Sequence, residues 1–148
     1  KYYAHKILEN LHNTLEPVIL TLYNVYGSGM GQDTMIYRFT HEDELTVYGT
    51  GMHTRDFIRV DDVVNIIKYI LDNEITGITV DVGTGKETRV ADIANYVHKI
   101  SGKPLKYTKA VSEVAESKAN VKKLKEIYPH KLVTNLKKDI QTMLKGAI

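Results

Sequence analysis

The 148-residue sequence predicts an α/β fold in which parallel strands are covered by helices. Two near-continuous apolar runs, at residues 18–23 and 78–83, are typical of strands buried on both faces in a parallel sheet. Segments with apolar residues at helical spacing lie before, between and after these runs, and such alternation indicates α/β layers. Two strong strands are too few for a self-sufficient parallel sheet, so the sequence predicts an incomplete architecture.

The first predicted helix covers residues 1–15 and ends before Pro17, which cannot continue a helix interior. Because Lys1 already belongs to the amphipathic pattern and has no capping residue ahead of it, we expect that residues are missing upstream. The helix presents one apolar face, formed by Tyr3, Ile7, Leu8, Leu11 and Leu15.

Shorter elements follow the first apolar run. The segment 27–44 is predicted to be mainly loop, with about two turns of helix at residues 35–39, and residues 45–49 form a short extended piece. The clearest helix covers residues 61–73, with Asp61 or Asp62 as its N-cap. Its apolar stripe consists of Val63, Ile66, Ile67, Ile70 and Leu71.

The second apolar run precedes a predicted helix at residues 89–100, with Thr88 as its N-cap and Gly102 and Pro104 at its end. Residues 105–108 are predicted to form a short strand. Two more helices are expected at about 119–128 and 135–145, with Thr134 as a cap of the second.

Composition excludes several classes of protein. The absence of cysteine excludes a disulfide scaffold and thiolate zinc sites, and it fits a reducing compartment; we expect a cytoplasmic location. No run reaches the ~18–20 apolar residues of a membrane span. From Lys118 onwards there are eight lysines and two acids, a pattern that suits either nucleic-acid contact or solvated helix faces. We favour solvated faces, and so expect neither a nucleic-acid nor a membrane partner.

The glycine and histidine patterns are weak. Gly27, Gly29 and Gly31 follow a predicted strand, as a dinucleotide fingerprint does, but the third glycine comes one residue early, which favours turn glycines. The six histidines are dispersed and none is placed as a metal-ligand pair, so no metal site is predicted.

Tyr2 and Lys6 lie four residues apart in the first predicted helix, so their side chains share a face. A tyrosine phenol has a reference pKa of about 10, and a lysine ammonium beside it favours the phenolate. Such a pair can accept a proton from a sugar hydroxyl during hydride transfer. The alternative is an ordinary surface pair.

The order of the motifs distinguishes these possibilities. Tyr2-x-x-x-Lys6 is followed by LYNVYGSG at 22–29, LTVYGTGMHTRDFIRVDDVV at 45–64 and ITVDVGTGKETRVADIA at 78–94. From Tyr2 to about Leu124 the chain resembles the C-terminal half of the extended short-chain dehydrogenase/reductases, in particular the nucleotide-sugar epimerases and dehydratases. RDFIRVDDVV after VYGTG is the specific part of this resemblance.

The resemblance implies the C-terminal part of a Rossmann-like NAD(P)-binding fold together with a small substrate-binding subdomain. Residues 1–148 would form a single partial domain, in which 1–30 end the Rossmann part and 31–148 mostly bind substrate. The intact enzyme would oxidise a hydroxyl of a nucleotide-diphosphate sugar with NAD or NADP as hydride acceptor.

The resemblance also implies roles for individual residues. Tyr2 would be the catalytic base and acid, and Lys6 its electrostatic partner and a ligand of the nicotinamide ribose; the cofactor-binding set is Tyr2, Lys6, Leu22 and Tyr23. Arg55 would clamp the substrate diphosphate, with an ion pair to a nearby acid as the alternative. Core packing is the alternative for Val47 and Tyr48. The substrate-binding set is Asn24, Val47, Tyr48, Arg55 and Lys109, while Asp56 and Asp62 would be architectural.

Some features depart from the family pattern. The stretch between Asn24 and Arg55 is short, so the substrate-binding helix is expected to be trimmed. Lys109 stands about where a second phosphate-binding arginine is expected. The Gly-x-x-Gly-x-x-Gly fingerprint, which the family carries before the tyrosine, does not occur in these 148 residues. We therefore expect the fragment alone to be inactive and to bind no cofactor.

Two alternatives stay open. The chain could be a non-catalytic module that binds nucleotide sugars. It could also act in assembly, because an unpartnered apolar edge at the first strand would favour pairing with another chain, and we therefore expect a homo-oligomer.

Overall fold

The computed structural model describes residues 2–11, 15–110 and 115–146. Six helices are described: α1 Tyr2–Asn10, α2 Met35–His41, α3 Val60–Asp72, α4 Val90–Ser101, α5 Lys122–Ile127 and α6 Leu136–Leu144. Nine strands are described: β1 Val18–Leu22, β2 Asn24–Tyr26, β3 Leu45–Tyr48, β4 Thr54–Arg55, β5 Phe57–Arg59, β6 Ile78–Val82, β7 Thr88–Arg89, β8 Leu105–Thr108 and β9 Glu116–Ser117.

The described strands pair in four small sheets. β1 lies parallel to β6, with Val18 opposite Ile78, and β2 lies parallel to β5. β3 lies parallel to β8, and β4 is flanked by the antiparallel β7 and the parallel β9. The parallel pairings confirm the predicted α/β class. The two strong strands and the short ones predicted at 45–49 and 105–108 are all found, as β1, β6, β3 and β8. The prediction missed β2, β4, β5, β7 and β9, because strands of two or three residues are too short to show a periodic pattern.

The helices also follow the prediction, with differences at their ends. α1 ends at Asn10, earlier than predicted; residues 12–14 lie outside the described part of the chain. α4 ends with Gly102 in the left-handed region, at φ 72°, as predicted.

All three predicted N-caps were wrong. The cap position of α3 is Arg59, that of α4 is Arg89, and that of α6 is Asn135, whose side chain accepts from the Lys138 N–H. Asp61 and Asp62 lie in the first turn of α3, Thr88 belongs to β7, and Thr134 binds Asp62. Arg59 and Arg89 make no side-chain hydrogen bond to the first turn of their helices, so the sequence pattern of a capping Asp or Thr does not apply to α3 and α4.

Two hydrophobic clusters form the interior. The first joins α2, β3, α4 and α6, and includes Tyr26, Phe39, Leu45, Val47, Val97 and Ile140. The second joins α3, β5, β6 and α5, and includes Ile58, Ile66, Ile70, Val80, Val82 and Leu124. Each draws on widely separated residues, and the predicted boundary at residue 30 stays a prediction.

Buried carboxylates attach the C-terminal segment to the rest of the fold. Asp62 accepts from the Val133 and Thr134 N–H groups, both at 2.8 Å, and from the Thr134 hydroxyl. Asp139 accepts from the Tyr26 hydroxyl at 2.6 Å, and Arg59 Nη1 lies 3.4 Å from its other oxygen. Asp62 therefore links α3 to the segment before α6, and Asp139 links α6 to β2.

We expect Tyr26→Phe to lower the free energy of unfolding by about 1–2 kcal/mol at pH 7, because the buried carboxylate of Asp139 loses one of its donors. Burial, followed by the hydrogen bond to Asp139, raises the pKa of Tyr26 above its usual 10 in the folded chain. The contribution of this phenol is thus complete below the pKa of an unfolded tyrosine and declines as the pH rises above it. Urea unfolding of both chains at pH 7 and about pH 11 should show the difference shrinking at the higher pH. A difference that grew with pH would contradict this assignment.

None of the described helices has both the length and the apolar character that crossing a membrane requires.

Candidate functional site

A cavity of about 450 Å³ lies between α2, β3 and β4. Four residues of the predicted substrate-binding set line it: Asn24, Val47, Tyr48 and Arg55. Its wall also includes the polar residues Asp33, Thr34, Arg38, Thr46 and His53, and the apolar residues Val25, Met35, Ile36, Phe39, Phe57 and Val90.

Hydrogen bonds to nearby backbone carbonyls orient Asn24 and Arg55 at the cavity wall. The backbone N–H and the side-chain amide of Asn24 both donate to the Asp56 carbonyl, each at 3.0 Å. Arg55 Nη1 donates to the Thr54 carbonyl at 2.8 Å. The two Asn24 bonds fix the start of β2 beside Asp56, the residue that follows Arg55, whereas the Arg55 bond is local to β4.

The carboxylate of Asp56 anchors the segment between β4 and β5. It is fully buried and accepts from the N–H groups of Thr84, Gly85 and Ala119, at 2.9, 2.8 and 3.2 Å. It also accepts from the Thr84 hydroxyl at 2.6 Å. Asp56 therefore joins the Arg55 segment to the loop after β6 and to residue 119, which agrees with the architectural role expected for it.

Tyr48 and Val47 occupy the wall differently, although they are neighbours on β3. Val47 is 1% exposed and belongs to the first hydrophobic cluster, while Tyr48 is 37% exposed. Val47 thus packs in the core as well as lining the cavity. Tyr48 lines the cavity with a partly exposed aromatic side chain.

Arg38 is a cavity residue that the sequence interpretation missed. Its Nε and Nη2 donate to the two carboxylate oxygens of Glu42, at 2.9 and 3.3 Å, and Nη1 donates to the Tyr48 hydroxyl at 3.3 Å. Its guanidinium carbon lies 5.7 Å from the centre of the Tyr48 ring. The hydrogen bonds from Arg38 lower the pKa of Glu42. The only sequence signal was the four-residue spacing between Arg38 and Glu42 in a short helix, which is common on helix surfaces.

His53 and Asp33 are further cavity residues that were not singled out. His53, one of the six dispersed histidines, comes two residues before Arg55, and Asp33 comes just before α2. Their local sequence contains no motif that indicates a cavity residue. They line the cavity because the loops that carry them meet in the folded chain.

Lys109 and the predicted cofactor-binding residues are not part of this wall. Lys109 is exposed directly after β8. Leu22 is half exposed at the end of β1, and the Tyr23 hydroxyl donates to Asp81 at 3.2 Å. Burial and the nearby Asp81 carboxylate raise the pKa of Tyr23.

The predicted catalytic pair lies on α1. Lys6 forms an exposed ion pair with Glu9 at 2.6 Å. The Tyr2 side chain lies outside what the structure describes. The catalytic role of Tyr2 and Lys6 therefore stays a prediction.

The glycines after β2 form turns. Gly27 and Gly29 have φ of 129° and 79°, and α2 begins only at Met35. A Cβ on Gly27 would lie 2.8 Å from Val60 Cγ1, so this glycine allows close packing on α3. The segment does not fit the pyrophosphate of a dinucleotide, which requires a helix directly behind the glycine turn. Among the described residues no group of three or more His, Asp or Glu side chains could hold a metal ion.

Comparison with known proteins extends this picture. The sequence model of the NAD dependent epimerase/dehydratase family matches residues 1–83. An uncharacterised UDP-glucose epimerase of Bacillus subtilis (strain 168) is 28% identical over 128 residues, which cover 81% of this chain and 40% of that protein. The chain thus spans less than half the length of this curated relative.

Solved structures show the same relation. UDP-glucuronic acid 4-epimerase from Bacillus cereus, in complex with UDP-glucuronic acid and NAD, is 25% identical with a TM-score of 0.84, over 95% of this chain and 48% of that one. UDP-glucose 4-epimerase from Thermotoga maritima, with UDP-glucose, shares the fold, with a TM-score of 0.83 and 24% identity over 98% of this chain and 50% of that one.

Proposed function

The chain belongs to the NAD-dependent epimerase/dehydratase family, and we propose that its cavity binds the nucleoside diphosphate part of a nucleotide sugar. The observation that carries this proposal is that Asn24, Tyr48 and Arg55, which lie far apart in the sequence, line one cavity. Its volume of about 450 Å³ lies within the range of small-molecule sites, roughly 300–1,000 Å³.

Each of these side chains suits one part of such a ligand. A guanidinium presents a planar fork of donors that matches phosphate oxygens, which assigns the diphosphate to Arg55. An exposed tyrosine ring stacks on a planar base, which assigns the base to Tyr48. The amide of Asn24 is oriented by its bond to the Asp56 carbonyl and adds a polar group at the strand end. We propose that Lys109 contacts the same ligand only from outside the cavity, because it does not line the cavity wall.

The relatives support this choice of ligand class. The epimerase from B. cereus was solved with UDP-glucuronic acid, and that from T. maritima with UDP-glucose. A uridine nucleotide is therefore the first ligand to test, and the sugar is left open.

For the reaction, Tyr2 would exchange a proton with a sugar hydroxyl, and Lys6 would stabilise the phenolate, with Leu22 and Tyr23 beside the cofactor. NAD, when bound, would serve as the hydride acceptor. Since the 148 residues carry no pyrophosphate-binding glycine turn, we propose that this chain alone binds and orients the sugar nucleotide without turning it over.

A homo-oligomer is a second part of the proposal. Val18 and Leu22 on β1 and Tyr3 and Ile7 on α1 are exposed apolar side chains, and among the described strands β1 pairs with β6 alone. Such an edge favours association with another copy.

We expect Tyr48→Ala to weaken UDP binding by about tenfold, because a base loses its stacking surface. Isothermal titration of UDP into the 148-residue chain measures this. Tyr107→Ala is the matched control: Tyr107 is also exposed, on the neighbouring β8, but does not line the cavity, and its removal should leave UDP affinity unchanged. Failure of the unsubstituted chain to bind UDP, or equal losses in both variants, would overturn the proposed site.

A further inference from the structure

A second cationic side chain lies on the wall of the cavity. Arg38 reaches it from α2, whereas Arg55 reaches it from β4. A diphosphate carries at least two negative charges, so one guanidinium leaves part of the ligand's charge unmatched. Lys109, which the sequence suggests as the second cation, is outside the cavity wall.

The side chain of Arg38 is paired with Glu42 in the structure. The two side chains form a two-point pair, with Nε–Oε1 at 2.9 Å and Nη2–Oε2 at 3.3 Å. This is the geometry in which a guanidinium binds a carboxylate, and a phosphate with two oxygens can use the same fork. Glu42 therefore competes with any phosphate for the same two N–H groups.

Glu42 is able to give up this pairing. It is exposed at the C-cap position that follows α2, where water can solvate the carboxylate. Lys103 and Lys106 also lie close enough to act on its charge. Losing Arg38 would therefore leave Glu42 hydrated and near positive charge.

We propose that Arg38 is a second phosphate-binding residue of the cavity, held by Glu42 in the free chain and taken over by a phosphoryl group of the ligand. This inference rests on the proposed function, since it assumes that the cavity binds a nucleoside diphosphate. The Tyr48 hydroxyl, which accepts from Arg38 Nη1 at 3.3 Å, keeps the guanidinium on this wall during the exchange.

Glu42→Gln provides the decisive test, because it removes the competing charge and keeps the shape of the side chain. If Arg38 binds phosphate, UDP affinity rises by about three- to fivefold in Glu42→Gln and falls about tenfold in Arg38→Met. The gain disappears in the double variant. Asp43→Asn is the matched control: it removes an exposed carboxylate next to Glu42 that has no hydrogen bond to Arg38, and it should leave UDP affinity unchanged.

Uridine and inorganic pyrophosphate complete the test by NMR titration. Uridine has no phosphate, so its affinity should be the same in Glu42→Gln as in the unsubstituted chain, while pyrophosphate should gain. If Arg38 serves only to hold the Tyr48 ring, Glu42→Gln weakens UDP and uridine alike, and the inference is wrong.

The outcomes separate the inference from the proposed function. UDP binding that Glu42→Gln leaves unchanged overturns the inference and leaves the nucleotide site. A gain for pyrophosphate without any binding of UDP or uridine supports Arg38 as an anion-binding residue and overturns the nucleotide site. Absence of binding by all three ligands overturns both.

Discussion

Replacing Asp56 by alanine is expected to lower the free energy of unfolding by about 3–5 kcal/mol. The carboxylate is 0% exposed and accepts hydrogen bonds from three backbone N–H groups and one hydroxyl, provided by Thr84, Gly85 and Ala119. Alanine would leave these donors buried without an acceptor, and each such donor costs about 1–3 kcal/mol before relaxation and water entry.

Urea unfolding followed by circular dichroism measures this loss. Asp43→Ala is the control, because it removes an exposed carboxylate and should change stability by less than about 0.5 kcal/mol. Asp56→Asn keeps one carbonyl acceptor and should fall between the two. A loss below about 1 kcal/mol in Asp56→Ala would mean that this residue does not anchor the segment between β4 and β5.

Replacing Arg55 by methionine should weaken UDP binding about 100-fold, the largest effect expected of a single cavity residue. Methionine keeps much of the length and apolar stem of arginine but carries no charge. Arg55→Lys should lose about tenfold, since a lysine keeps the charge and lacks the planar fork.

Arg89→Met provides the matched comparison. Arg89 is exposed on β7, opposite Thr54 in the antiparallel pairing with β4, and it does not line the cavity. Loss of its charge should leave UDP affinity almost unchanged in titration calorimetry at about 150 mM salt. Equal losses in the two variants would indicate a general charge effect, and no loss in Arg55→Met would remove Arg55 from the phosphate site.

The longer elements could be predicted because their side-chain patterns are local. α3 was predicted at 61–73 and is found at Val60–Asp72, and β8 lies where it was predicted. The predicted N-caps were wrong because α3 and α4 begin after Arg59 and Arg89, which make no side-chain cap hydrogen bond, so no cap pattern marks where these helices start. Asp62 lies in the first turn of α3 and binds the chain at 133 and 134 instead.

Only part of the candidate site could be predicted from the sequence, because some of its residues are brought together only by the fold. Asn24, Tyr48 and Arg55 stand in a recognisable motif order, and the structure places all three in one cavity. Arg38 and His53 have no comparable signal. Their position depends on how α2 and the loop before β4 meet in space, and no short stretch of sequence encodes this.

The pairing of the strands also has a kinetic consequence. Val18 lies opposite Ile78, and Leu45 lies opposite Leu105, each pair about sixty residues apart along the chain, and no two consecutive described strands form a hairpin. During synthesis at roughly 5–20 residues per second, about 3–12 seconds pass between the synthesis of β1 and that of β6. Folding of this chain is therefore governed by the closure of long loops, and it belongs among the slow folders of its size. Until β6 is made, the apolar strand at Val18–Leu22 lacks the partner with which it pairs among the described strands, and an apolar strand exposed in this way is prone to aggregation.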